Sequence, residues 1–199
     1  MREYPSIQRQ IIKSDPIIAF DKLDGSHIRS EWSRKAGFYK WGTRRRLLDP
    51  EEPILGEAVG LVLEKYSEAL ERVSVDERWQ RCVFFFEFFG PNSFAGTHDG
   101  GDEFDVVLLD AAPHKKDILP PRDFLKKFGH LHLPNVLYEG KANQTFVESV
   151  REWGLEGITF EGVVCKGAKR PFKIKTKAWL EALKTKCGDD EDLFNRLAW

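Results

Sequence analysis

Cysteine is scarce in this chain. Its 199 residues include three, Cys82, Cys165 and Cys187. An odd count with no close pair excludes a disulfide framework and a tetracysteine zinc site, and an intracellular, reduced protein is expected. Long apolar runs are lacking too. The longest, Cys82 to Phe89, is broken by Glu87 and is far too short to span a bilayer, so no membrane partner is expected. The opening residues, MREYPSIQRQ, hold no apolar stretch of the kind a secretory signal needs. A cytoplasmic setting follows as the expectation. Nor does either charge dominate. The 31 basic and 32 acidic residues leave a net charge of -1, which argues against a protein that coats nucleic acid nonspecifically.

What is present suffices for a core. Hydrophobic residues make up 41% and aromatics 13%, as expected of a single domain over 1–199 rather than a disordered chain. The near-zero charge hides patterning. Residues 43–46 read TRRR, and residues 166–177 read KGAKRPFKIKTK, with six cations and no acid. Local basic clusters in a neutral chain suggest anions held at particular places, although solvated faces explain such runs equally well when taken alone.

Periodicity predicts strands over 17–22, 28–33, 37–41, 82–89, 104–110, 135–139, 158–165 and 171–176. Over 56–73, Ala58, Val59, Val62, Leu63, Tyr66, Ala69, Leu70 and Val73 recur at helical spacing. Helices are also expected over 121–128, 144–153, 177–186 and 189–197. Strands outnumber helices, and short turns join several of them. That is not the regular alternation of a parallel doubly wound fold. An α+β domain follows, with mostly antiparallel sheets flanked by helices. Gly162 to Gly167 approaches a phosphate-binding P-loop, but Ala168 stands where its lysine should be, which excludes that reading.

Four segments carry possible chemistry. In Phe20-Asp21-Lys22-Leu23-Asp24-Gly25-Ser26, a lysine ends an apolar strand and a turn follows. Lys22 is either a surface lysine before an Asp-Gly turn or a nucleophile whose ammonium form is disfavoured by its surroundings. Gly25 permits close backbone approach to a ligand. In Phe86-Glu87-Phe88-Phe89-Gly90, Glu87 interrupts an apolar strand; it is a solvated edge residue or it faces a polar partner. In Phe160-Glu161-Gly162-Val163-Val164, a second carboxylate sits at a strand, a type of group suited to holding Mg²⁺ beside phosphates. In Phe172-Lys173-Ile174-Lys175, alternation places two ammonium groups on one face, where an anion such as phosphate relieves their repulsion.

In this order, KxDG, an aromatic strand with Glu, EGVV and KxK resemble the covalent nucleotidyltransferases: ATP-dependent DNA ligases, RNA ligases and mRNA capping enzymes. The resemblance covers about Phe20 to Lys175, and the segment FFGPNSFAGTH (residues 88–98) is most similar to RNA ligases. It implies an ATP-dependent RNA ligase working through lysyl-AMP, with ATP and Mg²⁺ or Mn²⁺ as cofactors. By the same resemblance, Lys22 attacks the α-phosphate, with Asp24 and Gly25 completing its motif. Arg44, with Arg45 as the competing register, contacts the nucleotide or a substrate phosphate. Glu87 lies near the ribose, and Phe104 to Asp110 supplies the adenine surface. Glu161 holds the metal, and Lys173 and Lys175 hold the α-phosphate. His27, two residues after Gly25, stands where relatives carry Arg or Asn. The resemblance also implies that RNA ends or a nicked duplex are the partners; a monomer is expected, and whether a separate protein supplies substrate binding is left open by the sequence. Residues 176–199 leave no room for the OB-fold domain of DNA ligases, so a bare adenylylation domain is expected. The alternatives are a general polynucleotide or DNA-end ligase, and a noncatalytic nucleic-acid-binding domain.

Overall fold

A computed structural model describes residues 1–12, 16–91, 101–167 and 170–198. The part of FFGPNSFAGTH beyond Pro91, and Ala168 and Lys169 of the basic run, lie outside the described residues. Contacts divide the described chain into two compact units. The first holds residues 1–5, 25–91 and 101–133; the second holds 6–12, 16–24, 134–167 and 170–198.

In the first unit, strands β2 (Ser26–Ser33), β3 (Gly37–Thr43), β4 (Arg81–Phe89) and β5 (Asp105–Pro113) form a sheet in the order β3-β2-β4-β5. Every pair is antiparallel. Its two helices are α1 (Glu57–Asp76) and α2 (Pro121–Phe128). Strand alternation turns Phe84, Phe86 and Phe88 to one face, where they pack with Tyr66 and Leu70 of α1 and Phe124 and Phe128 of α2. The apolar stripe of α1 thus fits a sheet rather than a second helix. Helix α2 opens with Pro at its start, has Asp123 in its first turn and has Lys126 and Lys127 in its last, the arrangement that suits its dipole.

Tyr66 fixes α1 to the sheet edge. Its hydroxyl lies 2.9 Å from the Val106 carbonyl and 2.8 Å from that of His132. Tyr66→Phe keeps the ring and removes this buried donor. It should lower unfolding free energy by about 1–2 kcal/mol, and urea titration of both proteins measures the difference.

In the second unit, β1 (Pro16–Asp21), β6 (Val136–Lys141), β7 (Gly162–Lys166) and β8 (Phe172–Lys175) form an antiparallel sheet in the order β6-β1-β7-β8. Helix α3 (Gln144–Arg151) covers one face, its first turn capped by the Asn143 side chain on the Phe146 amide at 2.8 Å. That face carries Ile17, Ala19, Val163, Cys165, Phe172 and Ile174. Helices α4 (Lys177–Cys187) and α5 (Glu191–Ala198) close a smaller apolar cluster around Trp179, Leu183 and Ala198.

One strand departs from expectation. The pattern over 158–165 predicts a strand throughout, but β7 begins at Gly162. Residues 158–161 are held by side chains instead. Asp21 accepts from the Thr159 amide and hydroxyl at 3.0 and 3.1 Å, and the Thr176 hydroxyl donates to the Phe160 carbonyl at 2.6 Å. Gly162 then adopts φ +138, and a Cβ there would meet the Ile174 carbonyl oxygen at 2.1 Å. Only glycine fits, so Glu161 precedes the strand rather than interrupting it.

Candidate functional site

The second unit's sheet shows its other face to a set of cations. Alternation places Lys173 and Lys175 of β8 and Lys166 of β7 opposite the α3 face. Lys22 follows directly on β1, its amide bonded to the Gly162 carbonyl at 2.9 Å. That bond and the Gly162–Lys175 pairing put Lys22, Gly162 and Lys175 in one row across the sheet. Glu161, beside that row, receives both ammonium groups. Lys22 Nζ donates to Oε2 at 2.6 Å, and Lys175 Nζ donates to Oε1 at 2.9 Å.

Burial differs sharply within the trio. The side chains of Glu161 and Lys175 are 4% and 3% exposed, and that of Lys22 is 20% exposed. Lys22 is therefore the member that a ligand reaches first. Burial is the largest influence on Lys175 and lowers its pKa to about 8, with the neighbouring Lys22 charge acting in the same direction and Glu161 opposing it. Burial alone would raise the pKa of Glu161, but the two ammonium groups together hold it below the ordinary carboxylate value. Glu161 is accordingly an anion throughout the neutral range, and the trio carries one net positive charge while both lysines are protonated.

Asp24 lies at the rim, with Trp179 Nε1 3.5 Å from its Oδ2. Lys173 is half-buried and pairs with Val164 across the ladder. Lys173 and Lys175 share that face, as alternation predicts, and Lys175 reaches Glu161. At Gly25 a Cβ would lie 2.4 Å from the Phe88 carbonyl oxygen, so glycine is needed for close approach to β4.

The first unit's sheet holds Glu87 and His27 on the face opposite its main core. Glu87 pairs across the ladder with His27 on one side and Val107 on the other. Strand β4 is internal to its sheet, which rules out the edge-strand reading of Glu87. Around it are Phe85, Tyr4 and His27, with ring centroids 5.0 to 5.7 Å apart. The Tyr4 hydroxyl donates to Asp110. Phe104 lies just before β5 and stacks on Phe88 at 5.1 Å on the core side, away from the Glu87 face.

Arg44 is close enough to His27 to disfavour its charged form, and Arg46, the residue after the competing register Arg45, pairs with Glu52. Sequence reasoning missed Arg29. It is 4% exposed and donates to the Thr43 and Arg2 carbonyls at 2.7 and 3.0 Å. The signal was its two-residue spacing from His27, which places both on the Glu87 face.

His27 has both ring nitrogens buried without a hydrogen-bond partner. Burial chiefly, and then Arg29 and Arg44, lower its pKa to about 3. Between about pH 3 and 6.5 the unfolded chain binds a proton there that the folded chain does not, so stability falls as pH falls through that window. His27→Phe should remove this dependence. The gap in melting temperature between pH 7 and about pH 4 should narrow in the variant, and an unchanged gap would show that His27 titrates normally in the fold.

Mg²⁺ is commonly held by one or two carboxylates plus substrate phosphates; Glu161 is the carboxylate that could serve in this way, and both of its oxygens are taken by ammonium groups here. Among the described residues no group of three or more His, Cys, Asp or Glu is arranged to hold a metal by itself. No described helix is long and apolar enough to cross a membrane.

No family model and no curated protein sequence matches this chain. Similarity is found among solved structures. An RNA ligase of Naegleria gruberi, in a lysine-to-alanine mutant with ATP and Mn, superposes with a TM-score of 0.62 at 16% identity, covering 85% of this chain and 52% of that one. The same ligase with PPi gives a TM-score of 0.63 at 18% identity, covering 87% of this chain and 53% of that one. An apo aspartate-to-alanine mutant gives 0.62 at 16%, covering 92% and 60%. The chain therefore spans between half and three-fifths of the length of the ligase it matches. At these identities the likeness establishes the fold: an α+β arrangement of antiparallel sheets and helices like the corresponding part of an RNA ligase.

Proposed function

We propose that this chain is an ATP-dependent RNA ligase-type nucleotidyltransferase, acting as one adenylyltransferase domain through lysyl-AMP. The observation that carries the reading is the convergence of Lys22 and Lys175 on the two oxygens of buried Glu161. An exposed amine beside a fixed cation is what attack on a phosphate requires. A fold like that of an RNA ligase supports the same reading.

Lys22 leaves Glu161, gives its proton to solvent and attacks the α-phosphorus of ATP. A P–N bond forms, the bond to the β-phosphate oxygen breaks, and pyrophosphate departs. Lys175 faces the charge that develops on the phosphate oxygens, fixed before the reaction begins. Lys173 adds charge on the same sheet face. Glu161 and Asp24 would hold the divalent ion, which when bound neutralises phosphate charge. Glu87, Arg44 and His27 line a face suited to ribose and phosphate contacts, with Gly25 permitting close approach of the backbone to β4. The AMP then passes to a 5′-phosphate, and a 3′-hydroxyl displaces it. RNA ends or a nicked duplex are the proposed substrates. A monomer acting inside the cell, assisted by a separate substrate-binding protein, completes the reading.

The test is incubation of the full chain with each α-labelled nucleoside triphosphate and Mg²⁺ or Mn²⁺. ATP alone should label the protein and release pyrophosphate; no label from any of them would end the proposal. Matched nicked duplexes with RNA or DNA 3′ ends then separate the substrates. Preferential sealing of the ribose-ended nick is expected, since the 2′-hydroxyl distinguishes RNA locally. Equal sealing of both would leave a general polynucleotide ligase.

A further inference from the structure

Lys175 has a neighbour that phosphate chemistry does not require. Its ammonium lies over the indole ring of Trp179, 3.3 Å from the ring centroid. Glu161 Oε1 stands at 2.9 Å and the Leu197 carbonyl at 3.5 Å. Trp179 is 2% exposed and sits in the first turn of α4. The Thr176 hydroxyl accepts from the Trp179 amide at 3.1 Å and donates to the Phe160 carbonyl at 2.6 Å. One short stretch of chain thereby fixes the indole, the residue before Glu161 and the lysine between them. Leu183, Cys187 and Ala198 surround the indole, and any large apolar side chain would fill that space.

The choice of an aromatic partner has a chemical consequence. A second carboxylate beside Lys175 would hold the ammonium but cancel its charge. An indole face attracts the cation through its quadrupole and leaves the charge intact. Lys22, Lys175 and Glu161 sum to one positive charge, and to zero once Lys22 has given up its proton; a second carboxylate would make the site negative toward a phosphate at that step, and a neutral holder avoids this. The same indole directs its Nε1 toward Asp24 Oδ2, linking the turn after Lys22 to the end of β8.

We propose that Trp179 is a positioning residue for Lys175: its ring face and the Glu161 carboxylate hold the ammonium between them, so that α4 is part of the transfer site. The proposal rests on the nucleotidyl-transfer reading, and its test separates the two. Self-adenylylation of the full chain is measured as a function of ATP concentration for the unmodified protein, Trp179→Phe and Trp179→Leu. Trp179→Leu should lower the rate of label formation at saturating ATP by about tenfold or more, the scale of a desolvated cation–π contact, with little change in the ATP concentration for half-maximal rate. Trp179→Phe keeps a ring face and should recover most of the rate. A Leu variant as fast as the unmodified protein, or a Phe variant as slow as the Leu variant, would overturn the proposal. Failure of the unmodified protein to label would instead overturn the reading beneath it.

A second measurement needs no activity and no Trp179→Leu protein. Protonated amines quench indole emission. The emission assigned to Trp179, the difference between a protein and its Trp179→Phe counterpart, should therefore rise when Lys175→Met removes the ammonium from the ring face. Emission unchanged by Lys175→Met would contradict the proposal.

Discussion

Lys22→Ala should abolish covalent labelling by ATP and leave the fold standing. The side chain is 20% exposed and sits past the last residue of β1, so its removal opens no cavity in the core. Glu161 keeps Lys175 as its partner at 2.9 Å, so no buried anion is left alone. The expected loss of stability is about 1 kcal/mol, read from denaturant titration, against complete loss of label. Because Lys22 would form the covalent bond, no rescue by higher pH or higher metal concentration is expected. Label surviving at a substantial rate would move the nucleophile elsewhere, with Lys40 one nearby substitute in the sequence.

Glu161→Gln should fail on both counts. The amide matches the carboxylate in shape but carries no charge, and Lys175, 3% exposed, then loses its anion. Removing one partner of a buried pair costs about 3–5 kcal/mol. The remaining lysines repel each other across the neutral side chain. Label formation should drop by at least about a hundredfold, since the fixed charge at the phosphate is no longer held in place. The stability deficit has a definite pH dependence. Lys175 already has a pKa lowered to about 8, and without Glu161 it sheds its proton more readily still. The deficit is therefore largest while Lys175 is protonated and shrinks as pH rises. Melts at about pH 6 and about pH 9 read this directly; an equal deficit at both would show that Lys175 is not the group left stranded.

The helices and most strands were legible in the sequence because each buries one face against a partner of matching period. The stripe from Ala58 to Val73 appears as α1 within a few residues, and the phenylalanines of 82–89 alternate as expected between the α1 side and the Glu87 side. Residues 158–161 were misread because their conformation depends on distant groups. Asp21 and Thr176 hold them from 138 and 16 residues away in sequence, and no local propensity reports that. The motif order placed Lys22, Glu161 and Lys175 in one account, but their mutual geometry was hidden. A lysine and a glutamate 139 residues apart carry no local sign that they share a bond, nor that one carboxylate serves two ammonium groups. Trp179 was read only as part of a closing helix. A single indole after a capping threonine looks the same whether it fills a core or holds a cation. Arg44, Arg45 and Arg46 form one basic run, and only in three dimensions does Glu52 appear as the partner of Arg46.

Two lysines compete for the role of nucleophile in the trio. Lys175 has its pKa lowered, while Lys22 has the exposure and the position at the strand end. The decisive measurement is peptide mapping by tandem mass spectrometry of the full chain after incubation with ATP and Mg²⁺, to locate the added AMP. The account predicts a single adduct on Lys22, with Lys173 and Lys175 unmodified. An adduct on Lys175, or none anywhere in the chain, would contradict it.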